Sequence, residues 1–190
     1  MKKTKLKIIE AATNLFIQKG FSGASISEIA KEAGINQSLI YHHVGNKLEL
    51  WKTVKKHLLN VNLSNSVKEN LKSNTLIELI NSIVISRINF YNSDPRIKRL
   101  MQWQQLEDSQ DVFKIESNMS PHLWIKKINK LQNIGEISNK YTAEFYGFII
   151  YSLVNSLIFD SYNVIKKDLK KNSDYVENII EVIVDILRSK

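Results

Sequence analysis

The sequence predicts an all-α fold, with a small N-terminal domain over residues 1–46 and a larger helical domain over residues 47–190. Apolar residues recur at the three- and four-residue spacing of amphipathic helices along most of the chain. No segment shows the apolar–polar alternation of a half-buried strand. The 190 residues include only 2 prolines and 6 glycines, so the predicted helices are rarely interrupted.

The first two predicted helices are bounded by glycines and by a cap. Residues 4–19 carry apolar side chains at helical spacing, and Gly20 ends this helix because glycine adopts the left-handed conformation at little cost. Ser25 and Glu28 have the spacing of a capping box, which predicts the start of a second helix. Gly34 ends that helix after little more than two turns.

Two asparagines predict the next helix starts. Asn36 is a favourable N-cap for a third helix that runs to about His43. Asn46 and Glu49 form another cap pair, so a fourth helix begins at about Lys47. Apolar periodicity predicts further helices over residues 74–92, 95–107, 121–132, 141–163 and 173–189.

The positive charge is concentrated near the N-terminus. The whole chain carries a net charge of +8, and residues 1–57 hold ten lysines against four acidic residues, a net +6. Such a segment attracts a polyanion. The chain has no cysteine, which excludes disulfides and thiolate metal sites, and no apolar run long enough for a membrane span. We expect a cytoplasmic protein without a signal peptide.

Two short helices joined at Gly34 form a helix-turn-helix, a motif that places its second helix in the major groove of DNA. Ile29 and Ile40 fix the angle between the two helices. The outward-facing side chains of the second helix are then predicted to contact DNA: Gln37, Ser38, Tyr41 and His42, with Leu39 close to them. A glutamine pairs with adenine through two hydrogen bonds, and an apolar side chain contacts the methyl group of thymine.

The stretch over residues 25–51, "SISEIAKEAGINQSLIYHHVGNKLELW", resembles the DNA-binding domain of TetR-type transcriptional repressors. The matching positions are Gly20-Phe21, Ile29-Ala30, Ala33-Gly34, Ile40-Tyr41, Val44 and Lys47, and the resemblance covers residues 5–51. It implies that Tyr41 and Lys47 contact phosphates and that His42 reaches the groove.

Some positions depart from the family pattern. Ala24 stands where the family commonly has a threonine whose hydroxyl meets a phosphate, so that contact is lost or moves to Ser25. Val44 replaces the usual phenylalanine, Ser38 a frequent glycine and Leu39 a frequent threonine. These departures leave the base sequence of the DNA site open.

The resemblance also implies a small-molecule pocket between the middle helices of the larger domain. Aromatic candidates for its lining are Phe90, Tyr91, Trp103, Trp124 and Tyr146. The alternative for each is an ordinary core position. Glu107, Asp108 and Asp111 would favour a cationic ligand if they lined the pocket, and a solvated loop is the alternative.

The helix predicted over 141–163 is apolar almost all round, whereas a surface helix needs only one apolar stripe. Pairing with a second copy across a two-fold axis would cover the apolar surface that remains outside one stripe. The predicted interface comprises Phe145, Phe148, Ser152, Ser156, Phe159, Val176, Ile180, Ile183 and Leu187. The alternative is a central helix in the core of a monomer.

These features predict a ligand-responsive DNA-binding transcriptional regulator. In the favoured interpretation a homodimer represses from a palindromic operator and is released by a small molecule. The alternatives are an activator, or a helical small-molecule-binding protein with a vestigial helix-turn-helix. We find no catalytic constellation and predict no enzymatic activity and no cofactor. His42 and His43 point about 100° apart on a helix and cannot share one metal ion, so no metal site is predicted.

Overall fold

The computed structural model describes residues 2–62, 73–107, 121–159 and 174–188. These ranges contain nine α-helices and no strand, and an isolated bridge joins Ile137 to Arg188. The predicted all-α fold is confirmed. The helices are α1 (Lys2–Gly23), α2 (Ile26–Ala33), α3 (Gln37–His43), α4 (Lys47–Asn62), α5 (Leu76–Ser93), α6 (Pro95–Leu106), α7 (Pro121–Asn133), α8 (Ala143–Phe159) and α9 (Asp174–Leu187).

The chain forms two compact units. The first unit contains residues 1–62 and 94–116, and the second unit contains residues 63–93 and 117–190. The first unit therefore includes α4 and α6 as well as the predicted N-terminal segment of 46 residues. The division of functions at residue 46 stays a prediction.

An aromatic cluster lies at the centre of the first unit. The ring of Phe16 on α1 meets the ring of Trp51 on α4 edge to face at 4.9 Å, and Phe21 meets the same tryptophan at 5.7 Å. Ile29 of α2 and Ile40 of α3 are completely buried. Burial of these apolar side chains fixes α2 and α3 against the longer helices α1 and α4.

Gly20 interrupts α1, as predicted, and it does so for two reasons. Its φ of 72° and ψ of −177° are disfavoured for any residue with a Cβ atom. A Cβ atom at this position would also lie 2.7 Å from Cε3 of Trp103, closer than van der Waals contact permits. The break turns the chain from α1 towards α2 while leaving room for the indole ring of α6.

Helix α6 is fastened along α1 by three contacts. At its start, the Arg96 guanidinium pairs with Glu10 at 3.1 Å. In its last two turns, Trp103 Nε1 donates to the carbonyl of Ile17 at 2.8 Å. Just beyond its end, Glu107 accepts hydrogen bonds from the backbone N–H of Ser22 at 3.0 Å and from the Ser22 hydroxyl at 2.5 Å.

The second unit is built from α5, α7, α8 and α9 around a shared apolar core. That core includes Leu79 and Ile83 of α5, Ile128 of α7, Ile150 of α8 and Ile183 of α9. The N-terminal part of the helix predicted over 141–163 corresponds to α8, and residues 160–163 lie outside the described ranges. Helix α1 was predicted to end at residue 19, but helical structure resumes after the kink at Gly20 and continues to Gly23. The other predicted helix boundaries agree with the structure to within about two residues.

Candidate nucleic-acid interface

The turn between α2 and α3 is defined by caps at both ends. Ser25 Oγ accepts from the Glu28 N–H at 3.2 Å while a Glu28 carboxylate oxygen accepts from the Ser25 N–H at 3.0 Å, which confirms the capping box. Gly34 is left-handed, with φ 66° and ψ 38°, and ends α2 as predicted. Asn36 then caps α3 by accepting from the Leu39 N–H at 3.0 Å.

Helix α3 presents one polar face to solvent. Gln37, Ser38, Tyr41 and His42 are exposed, whereas Ile40 on the opposite side is completely buried. The Tyr41 side chain is 54% exposed although it is aromatic. Since α3 contains no acidic residue, nothing on the helix itself repels a phosphate backbone. Leu39 is half-buried beside this face.

Ser25 lies at the N-terminus of α2, where its hydroxyl takes part in the capping box. The hydroxyl donates to Glu28 at 2.8 Å, and it lies 2.9 Å from the Ser27 hydroxyl. The hydrogen bonds from Lys19 and Ser25 lower the pKa of Glu28 to about 2, so the carboxylate stays ionised over the physiological range. A phosphate contact from Ser25 therefore competes with this cap.

Lys47 opens α4 and is held within the first unit. Its ammonium group lies 4.6 Å above the Phe21 ring and donates to the Ser22 carbonyl at 3.4 Å. Its charge also favours the ionised form of Glu107. These contacts position the ammonium group beside the turn between α1 and α2, and its predicted contact with a phosphate stays a prediction.

Glu107 is a residue that the sequence did not single out for this role. Burial raises the pKa of its carboxyl, but hydrogen bonds from Ser22 and Phe21 and the charge of Lys47 outweigh it, and the net pKa is lowered. The Glu107 carboxylate therefore holds the segment just before α2, through its hydrogen bonds with Ser22. The other two members of the predicted acidic cluster, Asp108 and Asp111, lie outside the described residues.

Comparison with known proteins identifies this arrangement. Residues 8–54 match the family described as bacterial regulatory proteins, tetR family. Residues 8–54 are the DNA-binding domain of a TetR-type regulator. The match contains all of α2 and α3 and most of α1, which are the elements that form the exposed polar face.

The relatives of this TetR-type regulator align with different fractions of its length. The HTH-type transcriptional repressor SCO4008 of Streptomyces coelicolor is 28% identical over 156 residues, which cover 80% of this chain and 77% of the relative. The HTH-type transcriptional activator FasR of Mycolicibacterium smegmatis is 32% identical over 69 residues, 36% of this chain and 31% of FasR. The first relative therefore extends through both units, whereas the second match is limited to about a third of each chain.

The fold is also similar to that of solved regulators. The crystal structure of FadR from Bacillus subtilis in complex with stearoyl-CoA superposes with a TM-score of 0.72 at 14% identity, over 95% of this chain and 98% of that one. At this identity the similarity establishes the fold. Together these comparisons establish a DNA-binding transcriptional regulator.

The predicted ligand residues of this regulator fall into both units. Phe90, Tyr91, Trp124 and Tyr146 lie in the second unit, where Phe90, Trp124 and Tyr146 are buried and Tyr91 is half-buried. Trp103 instead lies in the first unit, where it packs on Gly20 and donates to Ile17. We therefore remove Trp103 from the predicted pocket, because its ring packs on Gly20 of α1 and its N–H group already donates to Ile17 of the same helix.

The predicted dimer residues are also divided. On α8, the exposed residues are Phe145, Phe148, Ser152 and Ser156, and Phe159 is half-buried. On α9, Val176 is half-buried, but the structure corrects the other three positions: Ile180, Ile183 and Leu187 are buried in the core of the second unit. A second subunit cannot reach side chains that are already covered by α5 and α8.

No group of three or more metal-ligating side chains occurs within the described ranges. None of the helices in those ranges is long and apolar enough to span a bilayer.

Proposed function

We propose that this TetR-type regulator is a ligand-responsive repressor that binds a palindromic operator as a homodimer. It would act in the cytoplasm, without enzymatic activity, through two conformations that differ in the spacing of the two α3 helices. A small molecule that binds one conformation more tightly shifts the equilibrium by its difference in affinity. The operator is released when the effector favours the conformation with the wrong spacing.

The observation that carries the proposal is the exposed face of α3. Gln37 and Ser38 lie in the first turn of this helix, the part that enters the major groove in helix-turn-helix proteins. Exposed polar side chains on a short helix with a buried opposite side are what base contacts require. The surplus of lysines over acidic residues in the first 57 residues supplies the attraction to phosphates.

Apolar exposure on the second unit supports the dimer. Phe145 and Phe148 on α8 are exposed, and so are Val182 and Ile186 on α9. Large apolar residues exposed together at helical spacing are typical of a protein interface. We therefore place the α9 part of the proposed interface at Val182 and Ile186 instead of the three buried residues.

Repression is supported by SCO4008, which is named a repressor and matches both units. FasR is named an activator, so activation is the second candidate, but its match covers only 36% of this chain. A transcription assay separates the two. A promoter that carries the selected operator should give less transcript with the protein than without it, and more transcript would indicate an activator.

The decisive experiment is selection of duplexes from a random DNA pool by the full-length protein. The expected result is a palindromic sequence whose half-sites are about one helical turn apart. A protein whose helix-turn-helix is vestigial would enrich no sequence. Repeating the selection with a variant that combines Gln37→Ala and His42→Ala tests whether α3 determines the sequence that is recovered.

A further inference from the structure

The guanidinium of Arg87 is buried in the second unit, and no carboxylate among the described residues pairs with it. Arg87 lies on α5 and is only 5% exposed. Its Nη2 donates to Asn155 Oδ1 on α8 at 2.6 Å, whereas its Nε has no hydrogen-bond partner among the described residues. None of the ion pairs found in the described ranges includes Arg87. A buried charge of this kind is costly unless an opposite charge reaches it.

Aromatic rings surround this guanidinium. Its central carbon lies 5.3 Å from the ring of Tyr151, 5.5 Å from that of Trp124 and 5.6 Å from that of Tyr91. Cation–π attraction to these rings stabilises the charge but does not neutralise it. Tyr151 is 38% exposed, so the cluster extends from the core to the surface of the second unit.

The unused Nε–H, together with the N–H of Nη2 that Asn155 does not take, provides the donors for a carboxylate. Nε and Nη2 lie on the same edge of a guanidinium, the edge that binds a planar carboxylate through two parallel hydrogen bonds. Burial raises the pKa of Tyr91, although the charge of Arg87 and a hydrogen bond between the two side chains oppose the shift. The Tyr91 hydroxyl therefore stays protonated, and its own hydrogen can be donated. The three rings offer an apolar wall next to these donors.

We propose that Arg87 anchors the carboxylate of the effector, and that the effector is an amphipathic monocarboxylate whose apolar body packs against Tyr91, Trp124 and Tyr151. This inference rests on the proposed function, because it names the ligand class to which the regulator responds. Asn155 holds the guanidinium in place from α8. The ligand adds the missing negative charge at Nε.

Helix α5, which carries Arg87, is followed along the chain by α6. Arg87 lies on α5, and Asp94 directly after this helix caps α6 by accepting from the Arg96 N–H at 2.9 Å. Helix α6 is the one fastened along α1 at Glu10, Ile17 and Ser22.

Isothermal titration calorimetry on the full-length, DNA-free protein tests the proposal. The probes are octanoate and 4-phenylbutyrate, each compared with its neutral amide, octanamide and 4-phenylbutyramide. We expect at least one carboxylate to bind at least tenfold more tightly than its amide. This preference should disappear in Arg87→Met and fall severalfold in Arg87→Lys, because lysine keeps the charge but lacks the two-donor edge.

Arg99→Met is the matched control. Arg99 lies 5.4 Å from the ring of Trp103 in the first unit, so its removal deletes an arginine stacked on a tryptophan without touching the proposed site. It should keep the full preference for carboxylates. Circular dichroism establishes that each variant is folded, and if Arg87→Met does not fold, the comparison of Arg87→Lys with the native protein decides.

The proposal is overturned if carboxylate and amide bind equally to the native protein, if no carboxylate binds, or if the preference survives in Arg87→Met. If Arg87 only links α5 to α8, the Arg87 variants should be less thermally stable, and the native protein should show no preference for carboxylates over amides. Selection of an operator needs no ligand. A protein that selects an operator but shows no preference for carboxylates therefore contradicts this inference and leaves the proposed function standing.

Discussion

Gln37 is the side chain on which base contacts from α3 most depend, because it is exposed in the first turn and can form two hydrogen bonds to adenine. Gln37→Ala should weaken binding to the selected operator by about 1–3 kcal/mol and relax the preference at one or two bases. Competition binding with selected and scrambled duplexes measures both effects. Gln18→Ala, an exposed glutamine on α1, should change neither. An equal loss on both duplexes would show that Gln37 does not contact bases.

Tyr41 and Lys47 should instead contribute to binding of every sequence, as the proposed phosphate contacts. For Lys47→Ala, the slope of log affinity against log salt concentration should fall by about one, because one fewer counterion is released. Tyr41→Phe should weaken binding to selected and scrambled duplexes alike without changing that slope. The control is Lys130→Ala, an exposed lysine in the second unit. An unchanged slope in Lys47→Ala would mean that the ammonium group serves only its contacts with Phe21 and Ser22.

The cap residues of the first four helices could be predicted from the sequence because their interactions are local. Ser25 with Glu28, and Asn46 with Glu49, each lie within one turn of the helix that they start. The roles of Trp103 and Glu107 could not be predicted in this way. Their partners on α1, Ile17 and Ser22, lie 86 and 85 positions away along the chain, and periodicity contains no information about such pairings.

The contact between α4 and α6 contains a buried amine that makes stability depend on pH. Burial lowers the pKa of Lys55 to about 8, and the ammonium group donates to Gln104 Oε1 on α6. A free lysine has a pKa of about 10.4. Between these two values the unfolded chain binds more protons than the folded one, so the free energy of unfolding rises with pH. Below about pH 8 both states are protonated and the full cost of burying the charge is present.

Lys55→Met should remove this dependence. As the pH rises from 8 to 10, the free energy of unfolding of the native protein should increase by about 2 kcal/mol relative to that of the variant. Urea denaturation at several pH values measures the difference. Lys56→Met, an exposed lysine on the same helix, is the control and should follow the native protein. Parallel curves for the native protein and Lys55→Met would contradict a lowered pKa.

Helix α9 illustrates what periodicity can and cannot determine. The sequence identifies an apolar stripe through Ile180, Ile183 and Leu187, and the structure buries that stripe in the core of the second unit. A second stripe passes through Val182 and Ile186, which are exposed. An apolar stripe indicates that this side of the helix packs against something. It does not tell whether the packing partner belongs to the same chain or to a second subunit. We therefore propose the exposed stripe, rather than the buried one, as the part of α9 that faces a second subunit.

Two copies of the chain should be needed for specific binding, since a single short α3 makes few base contacts. The proposed interface combines the exposed residues of α8 with Val182 and Ile186. Ser156 lies within it, is exposed, and donates to Leu153 of its own helix, so we expect a substitution there to leave the core intact. Ser156→Arg should place an unpaired charge between the subunits and give folded monomers that have lost specific DNA binding. Sedimentation velocity at tens of micromolar gives the oligomeric state.

Asn133→Arg adds the same charge at an exposed position at the end of α7 and should remain dimeric with full affinity for the operator. If the native protein sediments as a monomer at that concentration, the dimer is refuted and the palindromic operator with it. If Ser156→Arg remains dimeric, the interface lies on another surface and the pairing through α8 is wrong.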